Sequence, residues 1–432
     1  MTNDSTLLGA FCDQSRKITY GIVQPGKASN AGVPIVRVNN FKGHALDLSE
    51  KLEVAQEVEA AYERSRPKPG DLLISLVGTI GQVAIASAEI EGWNLARAVG
   101  LVPFDDIEKA HWAAYAIQLK ENQHFIRQRA NTTVQSTFNL KDLAQIPIPR
   151  PGKEIEKSAL KTLRMLDDKI ELNRRMNETL EEMARTLFRD WFVDFGPTRR
   201  QMEGATDPVA IMGGAFPADK AAALVPIFPA THGESGLPEG WSTGRLNDLA
   251  NAVTNTVKPA EVSQQTHYIG LEHMPRRSIA LGEWEAAEKV TSNKSAFEKG
   301  QILFGKLRPY FHKVGIAAID GICSTDIVVV DALRPELRPF LATLMSTDEF
   351  VSYTNQTSSG TRMPRTSWKL MRDYEVARAP TALLTIFGEI VGPLHAKIHQ
   401  SIHENLTLAQ LRNLLLPKLM SGEVSLVETS RG

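Results

Sequence analysis

The chain has little cysteine, no long hydrophobic run and no excess of either charge. Its two cysteines, Cys12 and Cys323, lie far apart among 432 residues. That excludes a disulfide framework and zinc-ligand spacing, and both read as reduced packing residues. No stretch reaches the roughly 20 apolar residues of a membrane span. The opening MTNDSTLLGAF lacks the basic and apolar regions of a signal peptide, so the expected compartment is the cytoplasm, with no membrane partner. Lys and Arg total 49 against 50 Asp and Glu, which excludes a polycation that coats nucleic acid indiscriminately but permits local basic surfaces.

Catalytic signatures are equally sparse. Gly300-x-x-x-x-Gly305-Lys306 approaches a phosphate-binding loop, but Leu307 stands where Ser or Thr is needed, and Pro309 with the β-like run after it replaces the required helix. Asp167-Asp168-Lys169 has a nuclease-like ending, yet it lies within a helical pattern where exposed charges are ordinary. There is no Asn-Pro-Pro-aromatic or Asp-Pro-Pro-aromatic segment of the kind adenine methyltransferases use. The ten histidines offer no ligand pairing beyond His267 with Glu272 and His273, which reads as surface or structural. No catalytic residue, resident cofactor or metal is expected.

What is present is an internal repeat. Residues 155–192 contain neither Gly nor Pro, and Ala159, Leu163, Leu166, Ile170, Asn173, Asn177, Leu180, Ala184, Leu187 and Trp191 alternate steps of four and three. This is a heptad seam. A shift of 228 positions carries it onto Phe387, Val391, Leu394, Ile398, Ser401, Asn405, Leu408, Arg412, Leu415 and Leu419, broken only at Arg412. The polar seam pairs Asn173 with Ser401 and Asn177 with Asn405 recur in register, as a register-setting device would.

The repeat extends upstream. Gly70-Asp-Leu-Leu-Ile-Ser-Leu-Val-Gly-Thr-Ile-Gly-Gln-Val-Ala-Ile parallels Gly300-Gln-Ile-Leu-Phe-Gly-Lys-Leu-Arg-Pro-Tyr-Phe-His-Lys-Val-Gly-Ile. Each copy predicts a hairpin or tight strand pair around a polar turn. Each half thus runs from an α/β globular domain into a long helix. The expected boundaries are a first domain over 1–150, a helix over 151–195, a linker over 196–236 with at most short local structure, a second domain over 237–380 and a helix over 381–424.

The segments LDDKIELNRRMNETLEEMARTLFRDWFVDF, LPEGW, YIGLEHM, ILFGKLRPY, CSTDIVVV and GTRMPR together make the chain resemble the specificity subunit (HsdS) of type I restriction-modification systems, over essentially its whole length. The resemblance implies an α+β (α/β-like) fold with a pseudo-twofold internal repeat. Two target recognition domains would alternate with two long helices paired as an antiparallel coiled coil. It also implies double-stranded DNA as ligand, each domain reading half of a split site. Two modification (HsdM) subunits would dock on the helices and carry S-adenosylmethionine, and restriction (HsdR) subunits are further partners. The chain departs from the family at its start, which lacks an LPEGW-like opening, and the two hairpin turns differ, so the domains should read different bases.

DNA recognition needs cations for phosphates and forked or amide groups for base edges. In the first domain Arg37, Asn39, Asn40 and Lys42, the turn residues Thr79 and Gln82, and Arg129, Asn131, Thr133 and Gln135 have that chemistry. In the second they are Lys306, Arg308, Tyr310, Lys313, Thr361, Arg362 and Arg365. Two heads on a coiled coil also suit a scaffold that binds protein, and a self-sufficient methyltransferase or nuclease would need the motifs missing above.

Overall fold

A computed structural model describes the chain except residues 1–3, 27–30, 44, 49, 131–136, 361 and 425–432, and the side chain of Lys289. The chain divides into two compact units, Met1–Lys169 with Leu408–Gly432, and Ile170–Thr407.

In the first unit Ser5–Leu7 pairs antiparallel with Pro147–Pro149. Leu72–Ser75 and Val83–Ile85 form the expected antiparallel hairpin within the strand order 19–20, 99–102, 72–75, 83–85. Val33–Val36 runs parallel to Asn94–Leu95 in a separate sheet. The helices Ile107–Gln118 and Lys120–Arg129 follow. Trp112, Phe138, Leu72 and Ile74 close the core together with Ala159, Leu163, Leu416 and Leu419 from the long helices.

The second unit repeats this plan. Ser242–Arg245 pairs with Glu375–Arg378, Ile302–Gly305 with Val314–Ala317, and His267–Ile269 runs parallel to Gly321–Cys323. Arg338–Met345 and Asp348–Gln356 take the place of the helical pair.

Two 40-residue helices, Lys153–Phe192 and Thr381–Met420, carry the seam. At 1.5 Å per residue each is about 60 Å long. Asn173, Asn177, Ile398 and Ser401 are buried, whereas Leu166, Ile170, Leu180, Leu187, Leu394, Leu408 and Leu415 are half-buried. The helices pack together in both units. In the first, Arg412 Nη1 meets Asp167 Oδ1 at 2.6 Å, and the Tyr115 hydroxyl donates to Asp167 Oδ2 at 2.6 Å. The apparent seam break is therefore a paired cation. Burial, then the Asp167 charge, push the Tyr115 phenol up. In the second unit Trp191 and Phe387 stand 5.9 Å apart.

The second helix contains Gly388, whose added Cβ would lie 2.5 Å from the Glu336 carbonyl oxygen. Glycine there lets helix and loop backbones touch. The segment 196–236 is more ordered than a linker composition suggests. It forms helices Gly196–Met202, Pro208–Ile211 and Ala218–Leu224, and Met212, Ala221, Leu224 and Phe228 join the core around Trp191. Trp191 meets Phe228 edge-on at 4.9 Å.

Candidate nucleic-acid interface

In the second unit the hairpin turn is stitched to two other loops. Lys306 N donates to Asp326 O, Thr366 N to Lys306 O, and Arg308 N to Pro364 O at 2.7 Å. Leu307 bridges Arg365. The turn and the GTRMPR loop, separate cationic candidates in the sequence, therefore share one face. Arg362 is exposed there and Lys306 half-buried. Arg365 is paired with Asp326 at 2.8 Å, which neutralises much of its charge. Tyr310 is 51% exposed and packs edge-on against Phe311 at 4.8 Å. The guanidinium of Arg276 lies 4.3 Å from the Phe311 ring centre, a cation–π contact.

The first unit builds its counterpart the same way. Leu76 N donates to Ala98 O and Phe138 N to Leu76 O, and Val77 bridges Thr137. Thr79 is exposed and Gln82 half-buried. Ser75 Oγ pins the turn by donating to Thr79 O at 2.5 Å and accepting from Gln82 N at 2.9 Å. Gln118 and Gln123 hold it to the helical pair through Gly81 O. Arg129 is exposed at the end of its helix, 3.8 Å from the Phe125 ring centre and 3.7 Å from Asp142. Asn131, Thr133, Gln135 and Thr361 lie outside the described residues.

Two expected contacts face inward instead. Asn40 is buried: its Oδ1 accepts from Arg37 N, and its Nδ2 donates to Asp47 O and Glu50 O. It closes the loop, leaving exposed Asn39 and Lys42 at the surface, the latter paired with Asp47 at 2.6 Å. Arg37 is half-buried. Lys313 donates to Leu271 O, and burial holds its ammonium below the usual lysine range, with Arg276 adding to the effect.

Two cations escaped the sequence reading, Arg97 and Arg276, both exposed beside the turns. Extending the repeat would have found Arg97: the Ala98 carbonyl accepts from Leu76 N as the Asp326 carbonyl does from Lys306 N, so Arg97 stands at the position of Thr325.

Glu272, His273 and Glu285 bring ligand-capable atoms within 4.8 Å of one another. His273 Nδ1 already accepts from Gly270 N at 2.9 Å, the cap that Asn40 supplies in the first unit. That leaves two exposed carboxylates and a nitrogen engaged in the fold.

Residues 22–182 match the family model described as the type I restriction modification DNA specificity domain. The chain is similar to type I restriction-modification specificity subunits. It is 21% identical over 404 residues to the MjaIX specificity subunit of Methanocaldococcus jannaschii, covering 90% of this chain and 85% of that one. To the HindI specificity subunit of Haemophilus influenzae it is 23% identical, covering 68% and 72%. The match to the EcoBI specificity subunit of Escherichia coli is 28% identical but spans only 37% of this chain and 34% of that subunit. Among solved structures, the S subunit of a type I restriction-modification system from M. genitalium is similar at 17% identity and a TM-score of 0.48, covering 97% of this chain and 96% of that one. Among the described residues no helix is long and apolar enough to cross a membrane.

Proposed function

We propose that this chain is the DNA-reading subunit of a type I restriction-modification complex, non-catalytic by itself, with each globular half reading one part of a bipartite double-stranded site. The observation that carries this reading is the duplicated turn. One backbone design, stitched to the same two neighbouring loops, recurs in both halves. It presents Arg97 and Thr79 in one, and Lys306, Arg308, Tyr310 and Arg362 in the other. Corresponding scaffolds with different polar tips suit two different base sequences.

On this reading the paired helices set the unread spacer and dock two modification subunits, with restriction subunits joining the complex. S-adenosylmethionine belongs to the modification subunits. Exposed apolar side chains such as Met165, 58% exposed, and Leu414, 70% exposed, give the helices surface for such partners.

The experiment is a genome-wide map of methylated adenines with and without the gene. A split, asymmetric motif that vanishes on deletion is the expected result. Equal binding to scrambled and genomic DNA at physiological salt, with the partner subunits present, would overturn the reading.

A further inference from the structure

Each hairpin turn takes a left-handed backbone at two places. In the first half these are glycines, Gly78 at φ +79° and Gly81 at φ +87°; in the second they are Arg308 and His312, both at φ +52°. The turns correspond, since Leu76 and Lys306 each accept from the loop that follows, and Val77 and Leu307 each bridge it. Glycine adopts this backbone freely, whereas an L side chain is strained there. The chain thus contains the unstrained solution to its own turn and does not use it in the second half. Strain retained at such a place points to work done by the side chain.

His312 has a structural reason for its position. It is buried, with Nε2 at 3.0 Å from Ser346 O and Nδ1 at 3.4 Å from Asp348. Arg308 has none: its Nε is buried without a partner, and its guanidinium lies 5.9 Å from the Phe311 ring centre. Two neighbouring cations are already placed, Arg276 on Phe311 and Arg365 on Asp326.

Resting on the reading above, we propose that Arg308 is the specificity-determining residue of the second half. Its fork is held for a base edge with two acceptors, as guanine O6 and N7 provide. The first half, with Gly78 there, reads its bases without a side chain at this position.

The test is selection from a randomised double-stranded DNA library by the full-length chain assembled with its modification subunits, wild type against Arg308→Gly, with thermal melting of both chains. Arg308→Gly is expected to melt no lower than wild type and to keep one half-site intact. It should lose about tenfold or more of its preference at one base pair of the other half-site. His312→Gly relieves the same strain but loses the Ser346 anchor, so it is expected to melt lower. Unchanged preference in both half-sites, or a lower melting temperature for Arg308→Gly, overturns the assignment. A wild-type chain that enriches no split sequence refutes the DNA reading itself and takes Arg308 with it; wild-type enrichment with an indifferent Arg308→Gly refutes Arg308 alone.

Discussion

The Asn173 side-chain amide donates to the Asn405 carbonyl oxygen across the helix pair at 2.9 Å, and Asn405 in turn reaches the Ile170 carbonyl at 3.4 Å. Asn173 also donates to Glu404 at 2.9 Å. One turn away, Asn177 is buried with its Oδ1 lacking a partner. Two polar residues on one seam therefore stand in opposite energetic positions.

Asn173→Leu is expected to destabilise by about 1–3 kcal/mol, because it strands the half-buried groups of Glu404 and Asn405 that Asn173 satisfies. Asn177→Leu is expected to stabilise by about 1 kcal/mol by removing an unmatched carbonyl from an apolar seam. Chemical unfolding of the two variants checks the signs, and equal effects would contradict this account of the seam.

Acid sensitivity should arise in the second helix. Burial holds His395 and His399 down to about 4, with His399 adding to the effect on His395, and Lys299 and His403 adding to that on His399. The unfolded chain takes up these protons near pH 6.5, the folded chain only near 4. Their contribution is thus fully present above about pH 6.5 and is lost as pH falls toward 4, at up to about 1.4 kcal/mol per pH unit for each histidine. Unfolding followed from pH 7 to 4 should show this slope. His395→Gln combined with His399→Gln should flatten it, and an undiminished slope in that variant would point elsewhere.

Gly388→Ala reverses a familiar sign. In an exposed helix the change stabilises by about 1 kcal/mol. Here the new Cβ meets the Glu336 carbonyl oxygen at 2.5 Å, so a loss of roughly 1–3 kcal/mol is expected. A melting temperature at or above wild type would show that the loop yields.

On the DNA-binding reading, Arg276→Ala should weaken binding to every sequence alike and lower the salt slope by about one. Arg365→Ala should change the slope less, because Asp326 already sits 2.8 Å from its guanidinium. Binding titrations across salt concentrations separate the two variants; a larger slope change for Arg365 would reverse their roles.

The features legible in the sequence were those with local periodicity. The heptad steps marked both long helices, and paired β-rich runs around a polar turn marked both hairpins. What escaped depends on distant partners. Asn40 looked like a base reader, but Asp47 and Glu50 supply carbonyls that draw its amide inward. Arg412 looked like a fault in the seam because Asp167, its partner, is far away in sequence. Arg276 reaches the turn through Phe311, far away in sequence. The 196–236 segment has no repeat of its own; scattered apolar residues, Met212, Ala221, Leu224 and Phe228 among them, anchor it. The left-handed strain at Arg308 was also hidden, since only comparison with Gly78 in its actual backbone reveals it.

The first unit is completed by residues that follow the whole of the second. During synthesis its early strands and helices emerge first, yet Leu416, Leu419 and Met420, which cap their core, arrive only after residues 170–407 have been made. At 5–20 residues per second that delay is roughly ten to fifty seconds. The core of the first unit therefore waits on residues made after all those of the second.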